Sequence, residues 1–151
     1  MVVADELNDS VIDDEIFYRR VLPDKNHYTV TAQGQRVVST SAFSDRDLEP
    51  SVDREVLCRP IGGPTFTQGE PQNGVVSVIA RDVRATRIDH ASGKEVQRSY
   101  LADLEARPLP SNAAHYVVVL APATDKRGVF KKLLERLAKL AQWVIVPPET
   151  K

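Results

Sequence analysis

Polar and charged side chains stand at the ends of several apolar segments of this 151-residue chain, where they could take part in chemistry. The ones with a charge, a hydroxyl or an imidazole in such a place are Arg20, Ser41, Asp53, Arg84 and His115. A buried polar group without a hydrogen-bond partner costs roughly 1–3 kcal/mol. We therefore expect these residues to converge, either as a polar network that ties loops to the core or as the lining of a pocket.

A second set of residues is defined by its order along the chain. Arg20 stands on a predicted strand, Ser39 and Ser41 stand on the next one, and Glu105 follows later. This order is similar to the arginine, Ser-Thr-Ser and Glu-x-Glu motifs of mono-ADP-ribosyltransferases. The resemblance implies that the arginine holds NAD, that the serines support the nicotinamide ribose and that the glutamate stabilises an oxocarbenium-like centre. An ADP-ribosyltransferase-like enzyme that uses NAD is therefore the catalytic alternative.

The cysteine and histidine pattern favours neither metal binding nor nucleophilic catalysis. Cys58, His27, His90 and His115 are scattered singly, whereas a zinc site needs about four ligands, usually with two of them close in sequence. No GxxxxGK[ST] or GxGxxG motif follows a predicted strand. Cys58 ends an apolar turn, where a lone cysteine is usually a small core residue. We therefore expect no metal and no cofactor.

Charge is unevenly distributed, although the formal net charge is only -1. Residues 1–15 carry acidic side chains and no basic one, whereas basic side chains predominate in residues 125–139. We expect residues 1–15 to form a flexible acidic arm. We also expect a contact surface, called the basic face below, that consists of Lys131, Lys132, Arg136 and Lys139. This face could hold the acidic arm of the same chain or an acidic partner.

The basic face also suggests a nucleic-acid-binding module, because lysine and arginine make salt-dependent contacts to phosphates. Glu135 lies within the face, however, and no aromatic residue is interleaved with it to stack on bases. The pI of about 6.3 also argues against nucleic-acid binding. A protein partner is therefore the first expectation and a nucleic acid the second.

The elements that must position these residues centre on residues 112–148. Tyr116–Leu120 and Trp143–Val146 are near-continuous apolar runs, as in strands that are buried on both faces. Apolar residues between them recur at three- and four-residue steps, which predicts one long amphipathic helix. Thr124 or Asp125 would cap this helix at its N-terminus. The sequence therefore predicts a strand–helix–strand unit similar to a βαβ motif.

Shorter elements are predicted to surround this unit. We expect a helix that is opened by Ser51 and ends at Arg59–Pro60. Residues 59–74 predict a long loop suited to contacting a partner. Residues 74–83 favour a short helix that feeds a strand near 83–89. Further strands are predicted at 16–22, 36–43 and 95–105.

These patterns together predict an α+β fold with a single globular domain at 16–151. Its sheet would be mixed, with about four or five strands, one long C-terminal amphipathic helix and one or two short helices. No apolar run approaches the ~20 residues that cross a bilayer, so we expect no membrane contact. The acidic N-terminus lacks the pattern of a signal peptide, and a single cysteine fits a reducing compartment. We therefore expect a cytoplasmic protein.

Short motifs of the chain occur in the same order in a group of small bacterial proteins, often cyanobacterial, without an established function. They are YRR at Tyr18–Arg20, STSAF at Ser39–Phe43, SVD at Ser51–Asp53, DVR at Asp82–Arg84 and NAAH at Asn112–His115. The chain resembles this group from about Tyr18 to Trp143. The resemblance implies a compact single domain and a bacterial source.

We expect the protein to be a small cytoplasmic bacterial accessory or regulatory protein that acts by protein–protein interaction. The contact would be made by the basic face, by the acidic arm or by the 59–74 loop. On this interpretation, removal of residues 1–15 would barely alter stability, because exposed ion pairs contribute little.

Overall fold

A computed structural model describes residues 11–91 and 97–148 of the chain. The described strands are β1 (Ile16–Val21), β2 (Tyr28–Val30), β3 (Arg36–Val38), β4 (Ser51–Arg54), β5 (Gly74–Ile79), β6 (Arg87–His90), β7 (Arg98–Ala106), β8 (His115–Ala121) and β9 (Gln142–Ile145). Seven of them form one sheet in the order β6-β7-β8-β4-β1-β5-β9. β2 and β3 form a separate antiparallel hairpin.

Three α-helices and several 3₁₀ turns connect the described strands. The helices are α1 (Glu55–Cys58), α2 (Ala80–Arg84) and α3 (Arg127–Leu140), and the turns are Pro23–Lys25, Thr40–Phe43, Arg59–Ile61 and Gly63–Thr67. α3 buries its apolar stripe against one face of the sheet, as the residue spacing predicts. Leu133 and Leu137 are fully buried there, in one cluster with Phe17 and Tyr116. The N-cap of α3 is Lys126 rather than the predicted Thr124 or Asp125, although Thr124 Oγ1 accepts a hydrogen bond from the Lys126 backbone N–H at 3.1 Å.

The α+β class is confirmed, but the sheet differs from the predicted mixed sheet of four or five strands. It has seven strands, and every pairing among the described residues is antiparallel. β8 and β9 run in the same direction, as in a βαβ unit. They do not pair with each other, because α3 carries the chain past three intervening strands.

The helix predicted from Ser51 is wrong over its first four residues. Ser51–Arg54 is the strand β4, which pairs with β1 on one side and with β8 on the other. Val52 and Arg54 are buried, whereas Ser51 and Asp53 alternate with them on the opposite face. Two flanking strands therefore override the local helix-start signal, and only Glu55–Cys58 is helical.

The short helix predicted for residues 74–83 is wrong over residues 74–79, whereas the helix followed by a strand is present further along the chain. Gly74–Ile79 is a strand, Ala80–Arg84 is the short helix α2, and Arg87–His90 is the next strand. Apolar residues occur on both faces of β5, where four of its six residues are buried, so residues 74–79 lack the simple alternation that indicates a strand.

Two other predictions are corrected in part. The strand predicted at 36–43 ends at Val38, and Thr40–Phe43 form a 3₁₀ turn. The predicted 59–74 loop contains the turns Arg59–Ile61 and Gly63–Thr67. Among the described residues, no helix is long and apolar enough to span a membrane.

Candidate functional site

Three neighbouring strands place polar side chains in one row across the sheet. Tyr18 of β1 is paired with Asp53 of β4, and Asp53 is paired with His115 of β8. Directly opposed residues of an antiparallel pair point to the same face of the sheet. Arg20 lies two residues after Tyr18 on β1, so its side chain leaves the same face.

This row forms the floor of an open cavity of about 530 Å³, which we call the Asp53 cleft. Phe66 and Thr67 of a 3₁₀ turn form one wall, and residues 109–112, before β8, contribute to another. Lys25, His27 and Asp45 line the end of the cleft where β1 stops. The volume is in the range of small-molecule sites in proteins.

Asp53 is the most enclosed acid of the cleft. Its Oδ1 accepts a hydrogen bond from Asn112 Nδ2 at 2.7 Å, and Asn112 Oδ1 in turn accepts one from the Ala114 backbone N–H at 3.0 Å. Burial raises the pKa of the Asp53 carboxyl, and the hydrogen bond from Asn112 and the charges of His115 and Arg20 only partly oppose this rise. Ionisation of the Asp53 carboxyl is therefore less favourable than that of a solvent-exposed aspartate.

One hydrogen bond indicates the tautomer of the neutral His115 ring. Its Nδ1 lies 2.7 Å from the Arg107 carbonyl oxygen. Because a carbonyl can only accept, Nδ1 of the neutral ring carries the proton and Nε2 keeps a lone pair. We infer this tautomer from the hydrogen bond.

The two adjacent arginines of β1 have different environments. Arg19 is held in place by the carboxylate of Asp45 at 2.8 and 2.9 Å, by Ser51 and by the carbonyl of Ala42. Burial raises the pKa of the Asp45 carboxyl, but the hydrogen bonds and charge of Arg19 outweigh this effect and leave the pKa below its usual value. Arg20, in contrast, is exposed and has no hydrogen bond or ion pair with another described residue.

Gly69 lies close to the end of the Arg20 side chain. A Cβ at residue 69 would lie 2.7 Å from Arg20 Nη1, and the φ of Gly69 is +69°. A side chain there would therefore collide with the guanidinium and would also strain the backbone. Glycine at position 69 therefore leaves room for the guanidinium in the position that it has here and tolerates the positive φ.

The structure brings together three of the residues expected to converge. Arg20, Asp53 and His115 line the Asp53 cleft. Ser41 instead donates its hydroxyl to the Asn26 carbonyl at 2.8 Å, and Arg84 pairs with Asp13 and Asp103 away from the cleft. Asn112 was missed as a site residue, although it opens the NAAH motif. Its role could be found only once Asp53 was placed beside it.

The four residues of the ADP-ribosyltransferase resemblance do not share this cleft. Of Arg20, Ser39, Ser41 and Glu105, only Arg20 lines it. Glu105 lies on β7, three strand positions from β1, and its carboxylate bonds to the exposed side chain of Arg107. At about 4.8 Å between neighbouring strands, this separation is roughly 14 Å.

The basic face of α3 lies on the other side of the sheet. Lys131, Lys132, Arg136 and Lys139 are all exposed. Lys132 Nζ donates a hydrogen bond to the Asp89 carbonyl at 2.8 Å, which ties it to the edge strand β6. The other three side chains have no ion pair with a described residue, so their charges face solvent.

A groove separates the second half of α3 from β3, and we call it the Arg36 groove. It measures about 610 Å³ and is lined by Arg36, Val37, Val38, Thr40, Glu135, Ala138, Lys139, Ala141 and Trp143. Trp143 Nε1 donates a hydrogen bond to the Arg36 carbonyl at 2.9 Å and packs edge-on against Tyr28. The Nε of Arg36 is buried and has no partner in the described part of the chain.

The described residues include the single cysteine and all three histidines of the chain. Among residues 11–91 and 97–148, no three His, Cys, Asp or Glu side chains are grouped as metal ligands. Burial, together with the charges of Asp53 and Glu55, raises the pKa of the Cys58 thiol to about 12. Cys58 is therefore an uncharged core residue rather than a nucleophile.

The described end of the acidic arm binds arginines outside the basic face. Asp13 pairs with Arg84 at 2.9 Å, and Asp14 pairs with Arg81 at 3.1 Å. Glu15 enters the core and pairs with Arg54. The rest of the predicted arm, residues 1–10, lies outside the described residues.

Comparison with known proteins shows no significant match of this chain to a protein-family model, a curated protein or a solved structure. The resemblance to the bacterial group stays a prediction.

Proposed function

We propose that this protein is a small cytoplasmic accessory or regulatory protein that acts by protein–protein interaction and binds an acidic segment of its partner. The contact surface is the basic face together with the Arg36 groove. One observation carries the proposal: the Nε of Arg36 is buried beside this groove and lacks an acceptor in the described part of the chain.

A buried donor without an acceptor costs roughly 1–3 kcal/mol, and more for a charged group. A carboxylate that enters the groove would form a charge-assisted hydrogen bond with the guanidinium of Arg36, which lines the groove. Lys139 lines the same groove and adds a second positive charge. An acidic side chain would therefore compensate the charge of a guanidinium whose Nε has no acceptor in the described part of the chain.

The basic face extends this site along α3. Lys131 and Arg136 are exposed and have no ion pair with a described residue, so an acidic segment that leaves the groove would meet them next. Exposed charge pairs contribute only about 0–1 kcal/mol each. We therefore expect moderate affinity that falls as salt screens the charges.

Glu135 favours a protein segment over a nucleic acid. It is exposed and lies one helical turn from both Lys131 and Lys139. A peptide can place an amide N–H or a hydroxyl opposite this carboxylate. A nucleic-acid backbone repeats a negative phosphate at every nucleotide and would place charge beside it.

The proposal can be tested by fluorescence anisotropy with a labelled peptide of alternating glutamate and serine and with a DNA duplex of equal charge. We expect the peptide to bind more tightly than the duplex. Arg36→Gln should weaken peptide binding about tenfold or more, as expected for a lost hydrogen bond between charged groups. Lys139→Gln should have a smaller effect.

Arg59→Gln provides the matched control, because Arg59 is an exposed arginine next to Cys58 on the face of the sheet opposite α3. It should leave peptide binding unchanged. Equal peptide binding by the wild type and the Arg36 variant, or tighter binding of the duplex, would contradict the proposal.

A further inference from the structure

We propose that the Asp53 cleft is a separate binding site for a small organic carboxylate that carries an N–H or O–H donor beside its carboxylate group. The site lies on the face of the sheet opposite the Arg36 groove. Tyr18, whose side chain lies in the cleft, alternates on β1 with Phe17, which packs in the core cluster with α3. The inference is therefore independent of the proposed protein contact.

Arg20 supplies the contact for the carboxylate. Its neighbour Arg19 is saturated by Asp45, Ser51 and backbone carbonyls, whereas the guanidinium of Arg20 has no partner among the described residues. The absence of a side chain at Gly69 leaves room for this guanidinium. A planar guanidinium binds a carboxylate through two parallel hydrogen bonds, and the exposed Lys25 adds a second positive charge to the cleft.

Asp53 and His115 determine which polar group the ligand carries beside its carboxylate. Asp53 Oδ1 is occupied by Asn112, but Oδ2 has no hydrogen bond within the described part of the chain. His115 Nε2 keeps a lone pair because Nδ1 faces the Arg107 carbonyl. The ionised carboxylate of Asp53 and the neutral ring of His115 both accept hydrogen bonds, so the ligand that matches these forms carries a donor next to its negative charge.

The same acceptors disfavour inorganic phosphate. A phosphate dianion would meet the carboxylate of Asp53 when this is ionised, and it offers few hydrogens to donate. The walls add apolar contact, because Phe66 and Leu109 line the cleft and remain partly exposed in it. A polar floor with apolar walls is typical of small-molecule sites.

The probes for the test are N-acetylglycine, acetate and inorganic phosphate, titrated into ¹⁵N-labelled full-length protein and followed by two-dimensional NMR. N-acetylglycine carries the carboxylate with an adjacent N–H, and acetate lacks the donor. We expect N-acetylglycine to bind most tightly, with chemical-shift changes concentrated in the amides of β1, β4 and residues 112–115. Arg20→Gln should weaken this binding about tenfold or more.

Asp53→Asn provides a second test that does not depend on Arg20. This variant should bind N-acetylglycine and acetate with more similar affinities, because the carboxylate that accepts the N–H is lost. It should also bind phosphate more tightly, because a negative charge is removed from the cleft. Arg127→Gln, an exposed arginine at the start of α3, serves as the matched control and should bind like the wild type.

The proposal would be overturned by an absence of shift changes in the cleft or by tighter binding of phosphate than of N-acetylglycine. Equal affinity of the wild type and the folded Arg20 variant would also overturn it. Because Arg36 is not in the cleft, loss of peptide binding in the Arg36 variant would leave this result unaffected, and the two proposals can fail separately.

Discussion

Arg54 and Glu15 form a two-point ion pair inside the protein. The Nε and Nη2 of Arg54 donate hydrogen bonds to the two carboxylate oxygens of Glu15 at 2.6 and 2.7 Å. Arg54 Nη1 donates to the Tyr116 hydroxyl at 2.8 Å. The pair joins the segment before β1 to the central strand β4, so Glu15 is part of the packed structure.

We expect Glu15→Gln to destabilise the protein by about 3–5 kcal/mol, because it removes the charge that compensates a buried guanidinium. Chemical denaturation in urea measures the change. Asp14→Asn is the matched control, since the Asp14–Arg81 pair is largely exposed and such pairs contribute about 0–1 kcal/mol. Similar losses in both variants would contradict a buried role for Glu15. Removal of residues 1–15 should likewise destabilise the protein, contrary to the expectation from the sequence.

Leu137→Ala tests the packing of α3 on the sheet. Leu137 is fully buried, so its truncation should cost about 2–5 kcal/mol. Thermal unfolding followed by circular dichroism should show a lower midpoint. Lys131→Ala on the exposed side of the same helix should change the midpoint little. An unchanged midpoint in the Leu137 variant would exclude the packing described above.

His27 should make stability depend on pH. Burial and the charge of Arg19 lower the pKa of His27 below its usual 6.5, and Nδ1 accepts a hydrogen bond from the Leu22 backbone N–H at 3.0 Å. Between the lowered native pKa and the unfolded value, the unfolded chain binds more protons, so stability rises with pH. This contribution is complete above pH 6.5 and is lost as the pH falls through the native pKa.

His27→Gln removes the titrating ring, so it should flatten this part of the pH profile. Urea denaturation at a series of pH values from about 5 to about 7.5 covers the range in which histidine normally titrates. The same slope in the wild type and the variant would show that His27 does not titrate as described.

Asp53 and Asp45 should respond to pH in opposite directions. Burial raises the pKa of Asp53, so its carboxyl ionises less readily in the folded protein than in the unfolded chain. Stability therefore falls as the pH rises from 3.8 through the native pKa. The pKa of Asp45 is lowered, so its ionised form adds stability above pH 3.8 that is lost as the pH falls through the native pKa.

At neutral pH, Asp53→Asn should therefore stabilise the protein, because an asparagine can still accept the bond from Asn112. Asp45→Asn should destabilise it, because the carboxylate paired with Arg19 is lost. Both differences should shrink in acid, and denaturant titrations at acidic and neutral pH would measure them. A stability change of the same sign in the two variants would contradict the assignment.

Local patterns were sufficient to predict the strands β1 and β8 and the part of the long helix that forms α3. The strand β9 was also predicted, but it lies at the edge of the sheet with Val144 exposed, so it is not buried on both faces as its apolar run indicated. The helix stripe of Leu133 and Leu137 and the apolar run of β8 each report burial that neighbouring residues share. Such patterns depend on the geometry of one element, so they can be read without knowing its partners. The positive charge of the basic face could likewise be predicted from the spacing of lysine and arginine along the helix.

The strand β4 and the arrangement of the Asp53 cleft depend on pairing between distant parts of the chain. Ser51–Arg54 begins like a helix, but its backbone groups pair with β1 and β8, which come from distant parts of the chain. The register of those pairings places Asp53 between Tyr18 and His115, and shifting β4 by one residue would turn Asp53 to the opposite face. Arg20, Asp53 and His115 could be named in advance as polar residues at the ends of apolar segments. Their convergence, and the separation of Ser41 and Arg84 from them, follow only from the order and register of the strands.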